Sequence, residues 1–287
     1  MKNKFESPEL KGLTEIVPKK FTAPRLTSNV LLAGLGLAFA LPLLWLVLAS
    51  LNSNASWSIA WPHFTLSNFA SSLDSGRGVS LAYSFELAFV ATLVATVTGT
   101  LAAYTFSRRH IPWKGPLLLV VLFLSGVPIN VIIIPIYQAF SQLGWLSVLP
   151  AAVFLGVTAL PFEIWIIKNF IDAVPPELEE SARIEGVSTL RIITRIIVPL
   201  AAPGIAAAAI FGFVNAWGAF LIPLVLIENS AQQPGAVAMY GYITSAAVNY
   251  GGIAAFSIIY SVPVLLMYAL MARFFRGGFV LSGAIKG

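Results

Sequence analysis

An all-helical integral membrane protein with six spans is the fold class this sequence predicts, and three observations predict it. Of 287 residues, 58% are hydrophobic and only 10% charged, against about 25% charged in a typical soluble domain. The mean hydropathy is +0.86. The apolar runs have about the 20 residues that a helix rising ~1.5 Å per residue needs to cross a ~30 Å hydrocarbon core, without the alternation of outer-membrane strands.

Residues 1–28 form a polar, basic tail. Within it Leu10, Leu13, Ile16 and Val17 have rough helical spacing, so a short interfacial helix and a disordered leader both fit. The spans fall at about 29–51, 81–106, 116–140, 147–168, 203–227 and 253–275, in one transmembrane domain covering 29–287. The first apolar run exceeds the ~7–15 residues of a signal-peptide core, so it reads as a retained anchor. Two long segments, 52–80 and 228–252, lie on one side. Trp57 and Trp61 in the first suit anchoring at the interface.

Charge sets the orientation. The sequence pI is about 9.5, yet the basic residues flank the spans and do not form a nucleic-acid face. Of the 17 lysines and arginines, all but Arg77 fall on a single side. Basic residues are retained in the cytoplasm, which places both termini there. With no cysteine, the chain holds no disulfide and no thiolate metal centre. Neither H-E-x-x-H nor a G-x-x-x-x-G-K-[ST] phosphate loop occurs, so metalloprotease chemistry and nucleotide hydrolysis on this chain are excluded.

Between the fourth and fifth spans lies a charged island, Glu177 to Pro203. Pro175 and Pro176 stop the preceding span. Glu177, Glu179 and Glu180 occupy a first turn where carboxylates complement the helix dipole. The helix is expected to end near Glu185 at Gly186. Ser188 is then a suitable N-cap for a second piece through Val198, and Pro199 and Pro203 frame the next span. A helix this short is marginal alone, so packing must hold it.

Inside the spans, Asn130, Tyr137, Gln138, Asn215 and Trp217 are candidates for a solute pathway, with interhelical hydrogen bonding the alternative for the asparagines. Glu163 is expected to pair with Lys168 at the interface. Glu86 is expected to face the bundle or to sit toward water. Ser125 and Gly126 read as close packing, and Pro128, Pro135, Pro161, Pro223 and Pro263 as kinks.

The run Glu180-Ser181-Ala182, then Gly186, nine residues, and Ile196-Ile197-Val198-Pro199 resembles the "EAA" cytoplasmic loop of ABC importer permeases. Ser181, Glu185 and Val198 depart from that pattern conservatively. Leu41 to Trp45 with Ser50-Leu51, Tyr104 to Arg108, Asn215 to Phe220 and Gly283 to Gly287 resemble further patterns of the maltose-type branch, although the Asn215 region has its order altered. The likeness covers about residue 29 to the end.

It implies a type I ABC importer permease fold and a sugar or oligosaccharide as solute, carried by alternating access. It implies that Glu179, Glu180, Ser181, Ala182, Arg183, Glu185 and Gly186 belong to a coupling loop docking a cytoplasmic ATPase, which Lys286 and Gly287 also approach. Gln232, Gln233 and Tyr240 would meet an extracytoplasmic solute-binding protein. Further implied partners are a second permease subunit, making a heterodimer, and two ATPase subunits, which would carry ATP and Mg. No cofactor is expected on this chain, no nucleic acid as partner, and the cytoplasmic (inner) membrane as location. A secondary transporter driven by an ion gradient, with Glu86 or Glu163 as coupling carboxylate, is the competing reading.

Overall fold

The computed structural model describes residues 25–59, 61–74, 76–243 and 248–283, and side chains within 27–272 of these. The expected interfacial helix in the tail and the terminal Lys286 and Gly287 lie outside the described residues. The chain divides into two compact units, 1–45 and 46–287. In the first, helix α1 begins at Arg25 and is apolar from Val30 onward; its end is Ser50.

The second unit is built on α2 (Ser67–Asp74), α3 (Arg77–Arg108), α4 (Lys114–Leu124), α5 (Ile129–Leu143), α6 (Val148–Asp172), α7 (Glu177–Ile184), α8 (Thr189–Ile192), α9 (Val198–Leu200), α10 (Ala202–Trp217), α11 (Leu221–Leu226), α12 (Gly235–Ala238) and α13 (Tyr250–Gly283). Four helices are long and apolar enough to cross a membrane: Thr27–Ser50, α3, α6 and Tyr250–Ala272. Among the described residues the number reaches six when two bent pairs each count as one span.

Those bends are sharper than the kinks expected from the span prolines. The segment expected as 116–140 is broken, and α4 and α5 meet at 84°. Pro128 lacks an N–H and disfavours helical geometry at Val127, so the chain leaves the helix there. Ser125 and Gly126 therefore sit exposed at a break and not in close packing. The segment expected as 203–227 is helical only to Trp217, and α11 follows separately. Before it, Thr189–Leu200 turns 83° into α10. Residues Ile193–Ile197 form a π-helical turn just ahead of Pro199, which cannot donate to the usual α-helical ladder. Pro135, Pro161 and Pro263 lie inside uninterrupted helices.

The centre of the bundle is the packing of α3, α6 and α10. Their contact faces carry small residues. On α10 these are Gly204, Ala208, Gly212 and Ala216, all buried. On α3 the buried series is Ser84, Ala88, Ala91, Ala95, Gly99 and Ala103. Lipid tails supply no hydrophobic push between helices, so close backbone approach through small side chains is what joins them. At Gly156 of α6 a Cβ would stand 2.6 Å from the Ala91 carbonyl oxygen, so the α3–α6 contact is backbone against backbone.

Glu163 lies in this centre and not at an interface. It is fully buried, its Oε2 accepting from Thr96 Oγ1 at 3.2 Å. Lys168 instead pairs with Asp172 at 2.5 Å, one turn on. Glu86 is exposed on α3. At the end of the bundle away from the α6–α7 loop, Asn68 Nδ2 donates to the carbonyls of Ser50 and Asn52. The Arg77 guanidinium stands 4.0 Å over the Tyr242 ring. Trp217 and Tyr260 exchange bonds: the indole N–H donates to the Tyr260 carbonyl at 3.0 Å, and the phenol donates to the Trp217 carbonyl.

Candidate functional site

The charged island folds as two short helices held on a shared apolar base. Helix α7 starts at Glu177 behind Pro176, with Glu177, Glu179 and Glu180 in its first turn. It stops in a Schellman motif. Gly186 N–H donates to the Arg183 carbonyl and Val187 N–H to the Ala182 carbonyl, both at 3.0 Å. Gly186 has φ +78°, a left-handed conformation that costs a side-chain-bearing residue about 1–2 kcal/mol. Ser188 stands at the N-cap position of α8, but its side chain makes no capping bond. Ala182, Ile192, Ile193 and Ile197 are buried with Ala103, Ile167, Ile171 and Val174. Packing against α3 and α6 therefore supplies the order that so short a helix lacks alone.

The two faces of α7 have different partners. Glu179 turns inward, its carboxylate 3% exposed. Arg108 Nε, from the end of α3, donates to its Oε1 in a short contact. Tyr104 Oη donates to its Oε2 at 3.0 Å. Arg183 Nη2 donates to Tyr104 Oη at 3.1 Å and lies 3.6 Å from Oε2. Arg108 does more than pair. Its Nη2 donates to the Ile171 and Val174 carbonyls at 3.0 and 2.6 Å, adding to the backbone bonds where α6 ends and reaching the Val174 carbonyl beyond it. One guanidinium thus joins α3, the end of α6 and α7. Ser107 Oγ donates to Asp172 Oδ1 at 2.6 Å beside it.

The outward face carries Glu177, Leu178, Glu180, Ser181, Ile184 and Glu185. Ile184 is 88% exposed, and with Leu178 and Leu190 it leaves apolar surface open on the loop.

Of the loop residues singled out from sequence, Glu180, Ser181, Arg183, Glu185 and Gly186 are exposed. Glu179 and Ala182, on the same helix, are buried within the subunit, because their positions on α7 face α3 and α6. Arg108, Tyr104 and Ile184 were not recognised as part of the site. Tyr104 and Arg108 lie four apart on one helix face, and that spacing was the available signal.

The intramembrane candidates do not converge. Asn215 lines a cavity. Trp217 is buried against Tyr260. Asn130, Tyr137 and Gln138 are exposed along α5. Gln232 and Gln233 are half-buried and Tyr240 is exposed. Among the described residues no cluster of His, Cys, Asp and Glu could hold a metal ion.

A bundle of apolar helices with bent spans, carrying an ordered loop whose inner face is clasped and whose outer face is free, defines the permease component of an ABC importer. The chain belongs to the family described as binding-protein-dependent transport system inner membrane component, whose model matches residues 95–277. It is 31% identical over 282 residues to the osmoprotective compounds uptake permease protein GgtD of Synechocystis, covering 91% of this chain and 92% of that one. It is 30% identical over 211 residues to the trehalose transport system permease protein SugB of Mycobacterium tuberculosis, covering 72% and 77%. Among solved structures, a bacterial ABC transporter involved in the import of the polysaccharide alginate matches with TM-score 0.75 at 18% identity, covering 95% of this chain and 100% of that one. That likeness shows the fold. The chain is thus a multi-pass inner-membrane permease subunit and not an enzyme; the ATPase is a separate subunit.

Proposed function

We propose that this chain is one half of a heterodimeric permease that imports a sugar, oligosaccharide or related polyol, with residues 175–202 docked on a cytoplasmic ATPase subunit that binds ATP and Mg. The observation that carries the reading is the two-faced α7. A carboxylate clasped by Arg108 fixes the helix to the bundle, while Leu178, Glu180, Ser181 and Ile184 face outward. Force applied to that face reaches α3 and α6 together, which suits rigid-body alternating access. The sugar assignment is supported by the family and by relatives such as the trehalose system. Both termini then lie in the cytoplasm, with Lys286 and Gly287 near the ATPase, and Gln232, Gln233 and Tyr240 face the solute-binding protein. Membership in an ATP-driven family disfavours the ion-gradient alternative.

The chain has no cysteine, so Ile184→Cys places a single thiol on the docking face. Crosslinking from it is expected to capture the ATPase subunit in an importer whose uptake survives an uncoupler and stops on ATP depletion. Full uptake with no captured ATPase would refute the docking assignment.

A further inference from the structure

A cavity of about 410 Å³ opens beside the central packing, lined by α3, α6, α10 and the break after α4, within the ~300–1,000 Å³ range of small-molecule sites. Its polar groups share one character. Ser125 Oγ donates to the Leu122 carbonyl at 2.6 Å. Thr158 Oγ1 donates to the Leu155 carbonyl at 2.7 Å. Asn215 Nδ2 donates to the Phe211 carbonyl at 2.8 Å. With those protons committed to backbone, what the side chains offer the cavity is oxygen lone pairs, apart from the second amide proton of Asn215.

Glu163 adds a carboxyl group to the same wall. It is 0% exposed. Its Oε1 has no hydrogen-bond partner among the described residues and lies where a Cβ on Gly212 would come within 2.3 Å. Among the described residues the carboxyl group's one hydrogen bond is the one that Thr96 donates to Oε2. No lysine, arginine or histidine lines the cavity. The remaining wall includes Phe162 and Phe211, ring centroids 4.4 Å apart.

We infer that this cavity is an electrostatic filter of the transport path, in which Glu163 and the acceptor-rich wall admit neutral, hydroxyl-rich or amine-bearing solutes and repel carboxylated, sulfonated or phosphorylated ones. An anion needs donors or positive charge to replace its hydration, and this wall supplies almost none. A hydroxyl or ammonium group brings its own protons to the waiting oxygens, and a sugar ring can rest its apolar face on the phenylalanine pair. The word solute rests on the importer reading; the charge of the cavity does not.

The absence of cysteine again supplies the test. In membrane vesicles containing the full chain, Thr158→Cys is reacted with a cationic (trimethylammonium-ethyl) and an anionic (sulfonatoethyl) methanethiosulfonate, and labelling of this chain is read by mass. The cationic reagent is expected to be favoured. Glu163→Gln should lower the cation-to-anion rate ratio by about tenfold, since a carboxylate on the same cavity wall acts on the two reagents in opposite senses. Glu163→Asp should preserve most of the ratio. A thiol at Ile184→Cys, remote on the loop, should keep its ratio in all three backgrounds, showing that the variants are folded. A ratio at Thr158→Cys that ignores Glu163→Gln, or that falls equally with Glu163→Asp, overturns the inference. Failure of ATP-driven uptake would sink the importer reading and leave these rates as they are.

Discussion

Arg108 serves two elements at once, and its removal should show it. Arg108→Ala leaves the buried Glu179 with only the longer contact to Arg183 and frees the Val174 carbonyl at the end of α6. Breaking a buried pair from one side costs about 3–5 kcal/mol. The expected outcome is a bundle that still inserts but has a lower melting temperature in detergent and a protease-sensitive island at 177–200. Glu179→Gln should be milder, because Arg108 can still donate to the amide oxygen and keeps its bond to the Val174 carbonyl. Equal damage from both would show that charge pairing is the whole of what Arg108 provides. Gly186 is a smaller case. A Cβ there meets nothing within 4 Å, so Gly186→Ala should cost only the left-handed backbone term, about 1–2 kcal/mol, and Gly186→Asn less. A loss of all uptake from Gly186→Ala would mean that a partner packs on the glycine itself.

At the scale of elements, the small-residue faces decide what can be changed. Gly156→Ala drives a methyl into the Ala91 carbonyl, and α3 and α6 must separate to accept it. Reduced assembly of the bundle, seen as loss of monodisperse protein on size exclusion, is the expected result; Gly115→Ala, on α4 with open space around it and no left-handed backbone, should assemble normally. On the docking helix, Ile184→Asp should leave the melting temperature unchanged, since the side chain is 88% exposed, and reduce co-purification of the ATPase by about tenfold if it fills an apolar pocket there.

The same scale shows what the sequence disclosed and what it hid. Span positions, the stop at Gly186 and the acidic first turn of α7 follow from local rules: hydrophobic length, glycine after a helix, carboxylates at an N-terminus. A kink at Pro128 followed from the same rules, but its 84° size did not, because apolar character continues through it and a hydropathy reading follows burial in lipid and not backbone direction. The inward turn of Glu179 and the burial of Glu163 depended on which residue stands across the interface. Lys168 was the near neighbour in sequence for Glu163; Thr96 was the near neighbour in space.

For the molecule as a whole, the proposed docking face and the proposed solute path lie on different parts of the bundle. The loop between α6 and α10 carries the exposed docking face, whereas the cavity lies higher, where α6 and α10 face each other. The helices touched by the clasp, α3 and α6, also line the cavity. A variant with a loosened clasp, such as Arg108→Ala, is therefore expected to raise the ATP hydrolysed per solute imported by the reconstituted importer. A fall in uptake with hydrolysis reduced in the same proportion would indicate failed docking and not lost transmission.

The reciprocal bonds of Trp217 and Tyr260 bear on how α10 moves. They secure the helix to α13 at the terminus opposite its connection with the docking loop, and the chain leaves helical geometry immediately beyond. A rod pinned at its far tip and pushed at its near one swings instead of sliding. The widest arc would then be traced beside the ATPase, and the tip at Trp217 would barely stir through a cycle.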